Sequence, residues 1–257
     1  MAVVLGFVAF VGAADKPAKP KVVSSDRALD PTKTPGQNFN LTGFTLQTPI
    51  ACDSGVLEVT APSVTPTSST RCILGDLPTY TSSNFYTDKT TGAMVLWTPS
   101  NGATTSGSHY PRTELRAQKE FNISSATTSE TVTLAVLQTP KRNNIVIGQL
   151  KGVSDQPIEL RWKSGSIVAS VKLEYGGSIS DWTIATGLKV GQQFTFTMSV
   201  ANGVVSISAN GSSTQKFTFD NSWDTTKVYW KFGNYCQDNS STSGNGSKVA
   251  IYWFSVE

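Results

Sequence analysis

Histidine occurs once and cysteine three times in this chain of 257 residues, and charged side chains make up only 15% of it. So few cysteines cannot supply a structural zinc site. They allow one disulfide, and Cys52 with Cys72 would close a modest loop early in the domain, leaving Cys236 unpaired. No apolar run reaches the roughly 20 residues that a membrane-spanning helix needs. The net charge of +3 is too small to argue for a nucleic-acid partner, although a basic groove would suit any polyanion. No stretch is long and periodic enough for a helix, and no segment repeats. The pair of carboxylates that a glycoside hydrolase sets across its scissile bond is missing too, since no Glu-x-Asp-x-x-Glu pattern occurs.

What is present is Ser, Thr, Gly and Asn between short alternating runs. Residues 1–14, apolar and ending in small side chains, resemble a signal peptide without its basic start and predict a secreted, extracellular protein. Residues 15–37, rich in Pro and Lys, read as a linker or loosely held N-terminal arm. One domain is expected over 38–257. In it Met94–Trp97, Thr131–Leu137, Asn144–Leu150, Ile167–Leu173, Gln193–Val200, Val204–Ala209 and Lys216–Phe219 have strand length and turn residues between them. Asn202-Gly203 between two such runs is a hairpin signal. The expected fold is all-β: a two-sheet antiparallel jelly roll whose concave face holds an extended ligand.

Three strands carry unusual polar faces. In Arg112–Arg116, residues two apart project together, so Arg112, Glu114 and Arg116 place a carboxylate between two guanidiniums and fix their orientation. Gln149 and Lys151 share a face of the next strand. In Tyr229–Gln237, the residues Tyr229, Lys231, Gly233, Tyr235 and Gln237 line one side, with Trp230, Phe232 and Cys236 behind and Asn234 between them. Gly233 removes a side chain where a ligand could approach.

In this order the segments resemble polysaccharide lyase family 7, the jelly-roll alginate lyases. That family carries an Arg-Ser/Thr-Glu-Leu-Arg strand, a Gln-Ile/Val-His strand and a Tyr-Phe-Lys-Ala-Gly-x-Tyr-x-Gln strand. The chain has Arg112-Thr-Glu-Leu-Arg116, Gln149-Leu-Lys151 and Tyr229-Trp-Lys-Phe-Gly-Asn-Tyr-Cys-Gln237, with further likeness at Asn38–Gly43 and Leu160–Lys163. The resemblance runs from about Phe39 to the C-terminus. It implies an endo-acting lyase that cuts a 1,4-linked uronate polymer by β-elimination, removing the proton at C5 and expelling the O4 oxygen. It implies that Arg112 and Gln149 neutralise the uronate carboxylate while Tyr235 transfers the proton. Arg116, Lys151, Lys231, Tyr229, Gln237 and Glu114 complete the substrate-binding set. No metal or other cofactor is implied, and the expected partner is the acidic polysaccharide alone, met by a monomer.

A free phenol ionises at about pH 10, so a tyrosine base needs cationic neighbours such as Lys231 and the arginines. The chain departs from the family at Lys151, where a histidine is usual; its single histidine, His109, just before the arginine strand, is the candidate replacement. Without the Gln-x-His histidine, one tyrosine serving as both base and acid suits the syn elimination of mannuronate or glucuronate better than the anti arrangement of guluronate. Alginate with mannuronate preference is the first expectation and glucuronan the alternative, given a similar jelly roll in fungal glucuronan lyases. A non-catalytic carbohydrate-binding jelly roll is the rival of another class.

Overall fold

Alternating apolar and polar residues put one side of each strand against a partner sheet and the other toward solvent. The computed structural model describes residues 22–23, 28–61 and 71–257, so the apolar run 1–14 lies outside them. Among the described residues the strands are β1 (Val22–Val23), β2 (Phe44–Cys52), β3 (Gly55–Thr60), β4 (Arg71–Leu74), β5 (Phe85–Thr87), β6 (Met94–Pro99), β7 (Arg112–Ala117), β8 (Thr127–Gln138) and β9 (Asn144–Gly152). They continue with β10 (Ile158–Lys163), β11 (Ser166–Val171), β12 (Ser180–Ala185), β13 (Gln193–Ala201), β14 (Val204–Ala209), β15 (Gln215–Thr218), β16 (Val228–Cys236) and β17 (Gly246–Val256). Among the described residues helix is confined to Pro35–Asn38 and a 3-10 turn at Asn221–Thr225. No helix among the described residues is long and apolar enough to cross a membrane.

The strands form a two-sheet jelly-roll sandwich. One sheet runs β15-β14-β13-β8-β17-β6-β5, with β1 on the end of β17; the other runs β12-β11-β10-β9-β16-β7-β2-β3-β4. The pairings are antiparallel except β3 with β4. Asn202 and Gly203, both at positive φ, make the hairpin turn between β13 and β14, as a primed turn requires.

The inner faces meet through large side chains. Phe232 of β16 lies 4.8 Å from Phe254 of β17 and 5.8 Å from Phe44 of β2, centroid to centroid. Burying a side chain of this size contributes about 1.5–3 kcal/mol. Phe196 of β13 presses so closely on β9 that a Cβ at Gly148 would sit 2.7 Å from its ring. Buried Asn234 of β16 adds a polar tie: its Nδ2 donates to the carbonyls of Leu96 (2.9 Å) and Ser247 (2.7 Å) on the opposite sheet, and Ser247 Oγ donates to its Oδ1.

Part of the segment expected as a loose arm is attached to the domain. Val22 and Val23 pair with Val256 and Ser255, Leu29 packs on the core, and Asn38 Nδ2 donates to the carbonyls of Asp30 and Gly92. Backbone pairing and one apolar anchor outweigh the polar composition. Cys52 and Cys72 form the disulfide, which joins the end of β2 to β4, and Cys236 is a buried free thiol.

Glu130 has the opposite character from the rest of the core. It stands on β8 opposite Met198 and Val256, fully buried, and neither carboxylate oxygen has a hydrogen-bond partner. Burial, and secondarily the charge of Glu114, push its carboxyl well above the usual range, so the folded chain holds it protonated. Unfolding releases that proton once the pH exceeds the ordinary glutamate range. Glu130 therefore subtracts stability as pH rises from there toward its raised value, and acidification restores it. In calorimetric melts between about pH 5 and pH 8, Glu130→Gln, which mimics the neutral acid, is expected to show a smaller loss of Tm with rising pH than the parent chain. Equal slopes would show that this carboxyl does not titrate on unfolding.

Candidate active site

The concave sheet carries a cavity of about 560 Å³ lined from β2, β3, β7, β9, β10 and β16 and walled by the loops at 103–110 and 153–156. β16 lies between β7 and β9, which sets the cross-strand neighbours: Tyr235 beside Arg112, Gly233 beside Glu114, Lys231 beside Arg116 and Gln149, Tyr229 beside Lys151. The three polar faces recognised in the sequence thus meet on one surface.

Beneath that surface sits Glu114, completely buried. Its Oε2 accepts from Lys231 Nζ at 2.6 Å and from Arg112 Nη1 at 3.1 Å, while its Oε1 accepts from Gln149 Nε2 at 2.6 Å. Burial alone would raise this carboxyl, but the Lys231 ammonium and the Arg112 guanidinium hold it below the ordinary range. Burial and the neighbouring Arg112 bring the Lys231 ammonium down to about 7 against the opposing pull of Glu114. The arrangement fixes three donors at the floor of the cavity and leaves Gln149 with a second N–H to give.

Tyr235 stands near the C-terminal end of β16. The Arg112 guanidinium lies 3.8 Å above its ring centroid, and its hydroxyl is 3.0 Å from Ser108 Oγ. Lys151 Nζ donates to the backbone carbonyl of Asp155 (3.1 Å), whose carboxylate is taken by Lys172. Burial and then Arg112 lower the Lys151 ammonium from its ordinary value, with Asp155 opposing. Gln237 accepts from Arg161 Nη1 at 3.0 Å, and its buried Nε2 has no hydrogen-bond partner. His109 is exposed on the wall and borders the same cavity.

Four expectations are corrected. Glu114 does not line the cavity; it lies under it, because its three donors close over it. Arg116 does not share that carboxylate. It turns to Glu120 (2.8 Å) and lies 4.0 Å over the Tyr229 ring, supporting that tyrosine from outside the cavity. Lys231 lines the cavity, yet its ammonium is spent on Glu114. Gly233 is not a place of ligand approach: at φ 140° it sits in a bulge of β16 against β9, where a Cβ would come 2.8 Å from Thr113 O and 3.1 Å from Glu114 Cα. The glycine lets two backbones close up and so brings Tyr235 into line.

The sequence did not point to Ser108, Tyr110, Arg161 or Gln47, all of which line the cavity. Ser108 and Tyr110 flank His109 in a loop with no periodicity to mark them. Arg161 lay within the Leu160–Lys163 likeness but had no visible partner.

Removing one member of the buried pair has a stated cost. Glu114→Gln leaves Lys231 in a buried place without its countercharge and is expected to lose about 3–5 kcal/mol in denaturant unfolding. Arg116→Ala, at a partly exposed pair, should stay within about 1 kcal/mol. If the two losses are similar, Glu114 is not the organising charge.

Known proteins share this architecture. The family model for alginate lyase matches residues 39–257. A variant of the family 7 alginate lyase A1-II′, solved in complex with product (GGG), superposes with a TM-score of 0.73 at 31% identity over 88% of this chain and 99% of that one. Alginate lyase PA1167 from Pseudomonas aeruginosa, at 24% identity over 84% of this chain and 98% of that one, shares the fold with a TM-score of 0.71. No curated protein matches the chain. With the family model spanning the sandwich and the floor of the cleft alike, the chain belongs to the alginate lyase family and is a polysaccharide lyase.

Proposed function

We propose that the chain is an endo-acting lyase that cleaves a 1,4-linked uronate polymer, alginate with mannuronate preference before glucuronan, and that Tyr235 transfers the protons. The observation that carries this reading is Tyr235, its ring under the Arg112 guanidinium and its hydroxyl held at Ser108, on a floor where Arg112 and Gln149 are both fixed by Glu114. The C5 proton of a uronate is weakly acidic because the adjacent carboxylate is already negative. Hydrogen bonds and cations on that carboxylate let the enediolate form. Arg112, the second N–H of Gln149 and Lys151 supply them. The Tyr235 oxygen then takes the C5 proton, and the same phenol returns a proton to O4 as the C4–O4 bond breaks.

Six strands span the cleft, about 24 Å of sheet at ~4.8 Å per strand, which suits a stretch of polymer better than a chain end. Lys151 and His109 both border the cavity where the family's histidine is lacking, and His109 tunes or positions while the tyrosine carries the reaction. No metal is part of this mechanism, so a chelator should leave turnover largely intact. The reading includes a monomer and its export, and the Cys52–Cys72 disulfide supports the export, being a bond of oxidising compartments.

The test follows the ultraviolet absorbance of the unsaturated uronate on mannuronan, guluronan and glucuronan with three variants. Tyr235→Phe is expected to lose nearly all turnover while still binding oligomer. His109→Ala should lose less than the ~10²–10⁴-fold typical of a general acid–base group, and Lys151→His should alter the preference among polymers. Full activity of Tyr235→Phe would refute the assignment, and equal losses at His109 and Tyr235 would mean a two-residue mechanism.

A further inference from the structure

Ser108 is held by more than its loop requires. Its Oγ accepts from Arg112 Nη2 at 2.8 Å, lies 3.0 Å from the Tyr235 hydroxyl, and can donate to the backbone carbonyl of Tyr110 at 3.0 Å. A serine hydroxyl has one proton and two lone pairs. Arg112 occupies one lone pair in every state, since a guanidinium can only donate. The single proton therefore has two destinations, the Tyr110 carbonyl or the Tyr235 oxygen, and the second lone pair, which the Tyr110 N–H approaches only to 3.5 Å, is open to Tyr235 when the proton points away from it.

We propose that Ser108 is a positioning residue for the elimination, its hydroxyl reversing direction as the Tyr235 oxygen alternates between anion and phenol. This rests on the reading of Tyr235 as the proton-transfer group. When Tyr235 is a phenolate, Ser108 donates to it, and the bond is charge-assisted and strong. When that oxygen takes the C5 proton, the C5–H bond breaks and its electron pair passes into the enediolate, from which it forms the C4–C5 double bond as the C4–O4 bond breaks. Ser108 then swings its O–H to the Tyr110 carbonyl and can accept from the phenol. When the phenol gives its proton to O4, whose bond to C4 has broken with the electron pair on oxygen, the phenolate returns and Ser108 turns back. No proton passes through Ser108; it supplies a donor to the anion and withdraws it from the phenol. Arg112 keeps the serine oxygen in place while stacking on the tyrosine ring, so one guanidinium locates both partners.

The experiment compares Ser108→Ala, Ser108→Thr and Tyr235→Phe with the parent enzyme on mannuronan, recording kcat, KM and the pH profile of kcat. Loss of a hydrogen bond to a charged group predicts a fall of about 10- to 100-fold in kcat for Ser108→Ala. KM should change little, and the acidic limb of the profile should move to higher pH because the phenolate has lost its donor. Ser108→Thr, which keeps the hydroxyl, should recover most of the rate and the original limb. An unchanged kcat in Ser108→Ala, or a fall with no displacement of the limb, overturns the proposal while an inactive Tyr235→Phe leaves the tyrosine assignment standing. An active Tyr235→Phe overturns both.

Discussion

A single buried carboxylate organises the concave face. Glu114 lies below the cavity floor and binds a lysine, an arginine and a glutamine contributed by three different strands. An ion set of this kind is poor value as stabilisation, because desolvating the charges costs as much as their attraction returns. Its worth is positional: three donors from three strands are tied to one point, so their spacing is fixed before any polymer arrives. Preorganised donors of this sort lower the cost of charge development, since these three need not reorient during the reaction.

That point is in turn held by the packing behind it. The β16 backbone bulges at Gly233 against β9 while staying in register with β7, and Asn234 reaches across the sandwich to the carbonyls of Leu96 and Ser247. The aromatic cluster of Phe44, Phe232 and Phe254 fills the space beside it. A strand fastened from behind by both apolar contact and satisfied polar groups cannot slide, because a one-residue slip would turn Tyr235 into the core. Rigidity of the sheet thus becomes accuracy at the tyrosine oxygen.

The charge balance of the cleft differs from that of the whole chain. A net charge of +3 describes an almost neutral protein. The floor nevertheless gathers Arg112, Lys151, Arg161 and Lys231 around Glu114 and Glu159, and of the ammonium groups Lys151 meets only a backbone carbonyl. Concentrating cations over a low-dielectric sheet favours a polyanion at that place alone. Burial first, and then the charge of Arg112, lower the ammonium groups of Lys151 and Lys231 from their ordinary values.

The sequence by itself determined the strand parity and therefore the faces. Alternation in β8, β9, β13 and β14, the Asn202-Gly203 turn and the order of the three polar strands were enough for an all-β sandwich with Arg112, Gln149 and Tyr235 on one side, because side-chain direction in a strand is a local property. β2 and β17 carried weaker patterns, since long strands buried on both faces lose their alternation. What parity could not decide was which side chains touch. Lys231 and Gln149 reach Glu114 from 117 and 35 residues away, and that choice belongs to strand adjacency, with β16 lying between β7 and β9. The same adjacency gave Gly233 a role in backbone closure, while Arg116 was taken by Glu120 only four residues along the chain. Ser108 became visible only when its loop folded over the tyrosine, since an irregular loop has no period to announce where its side chains go.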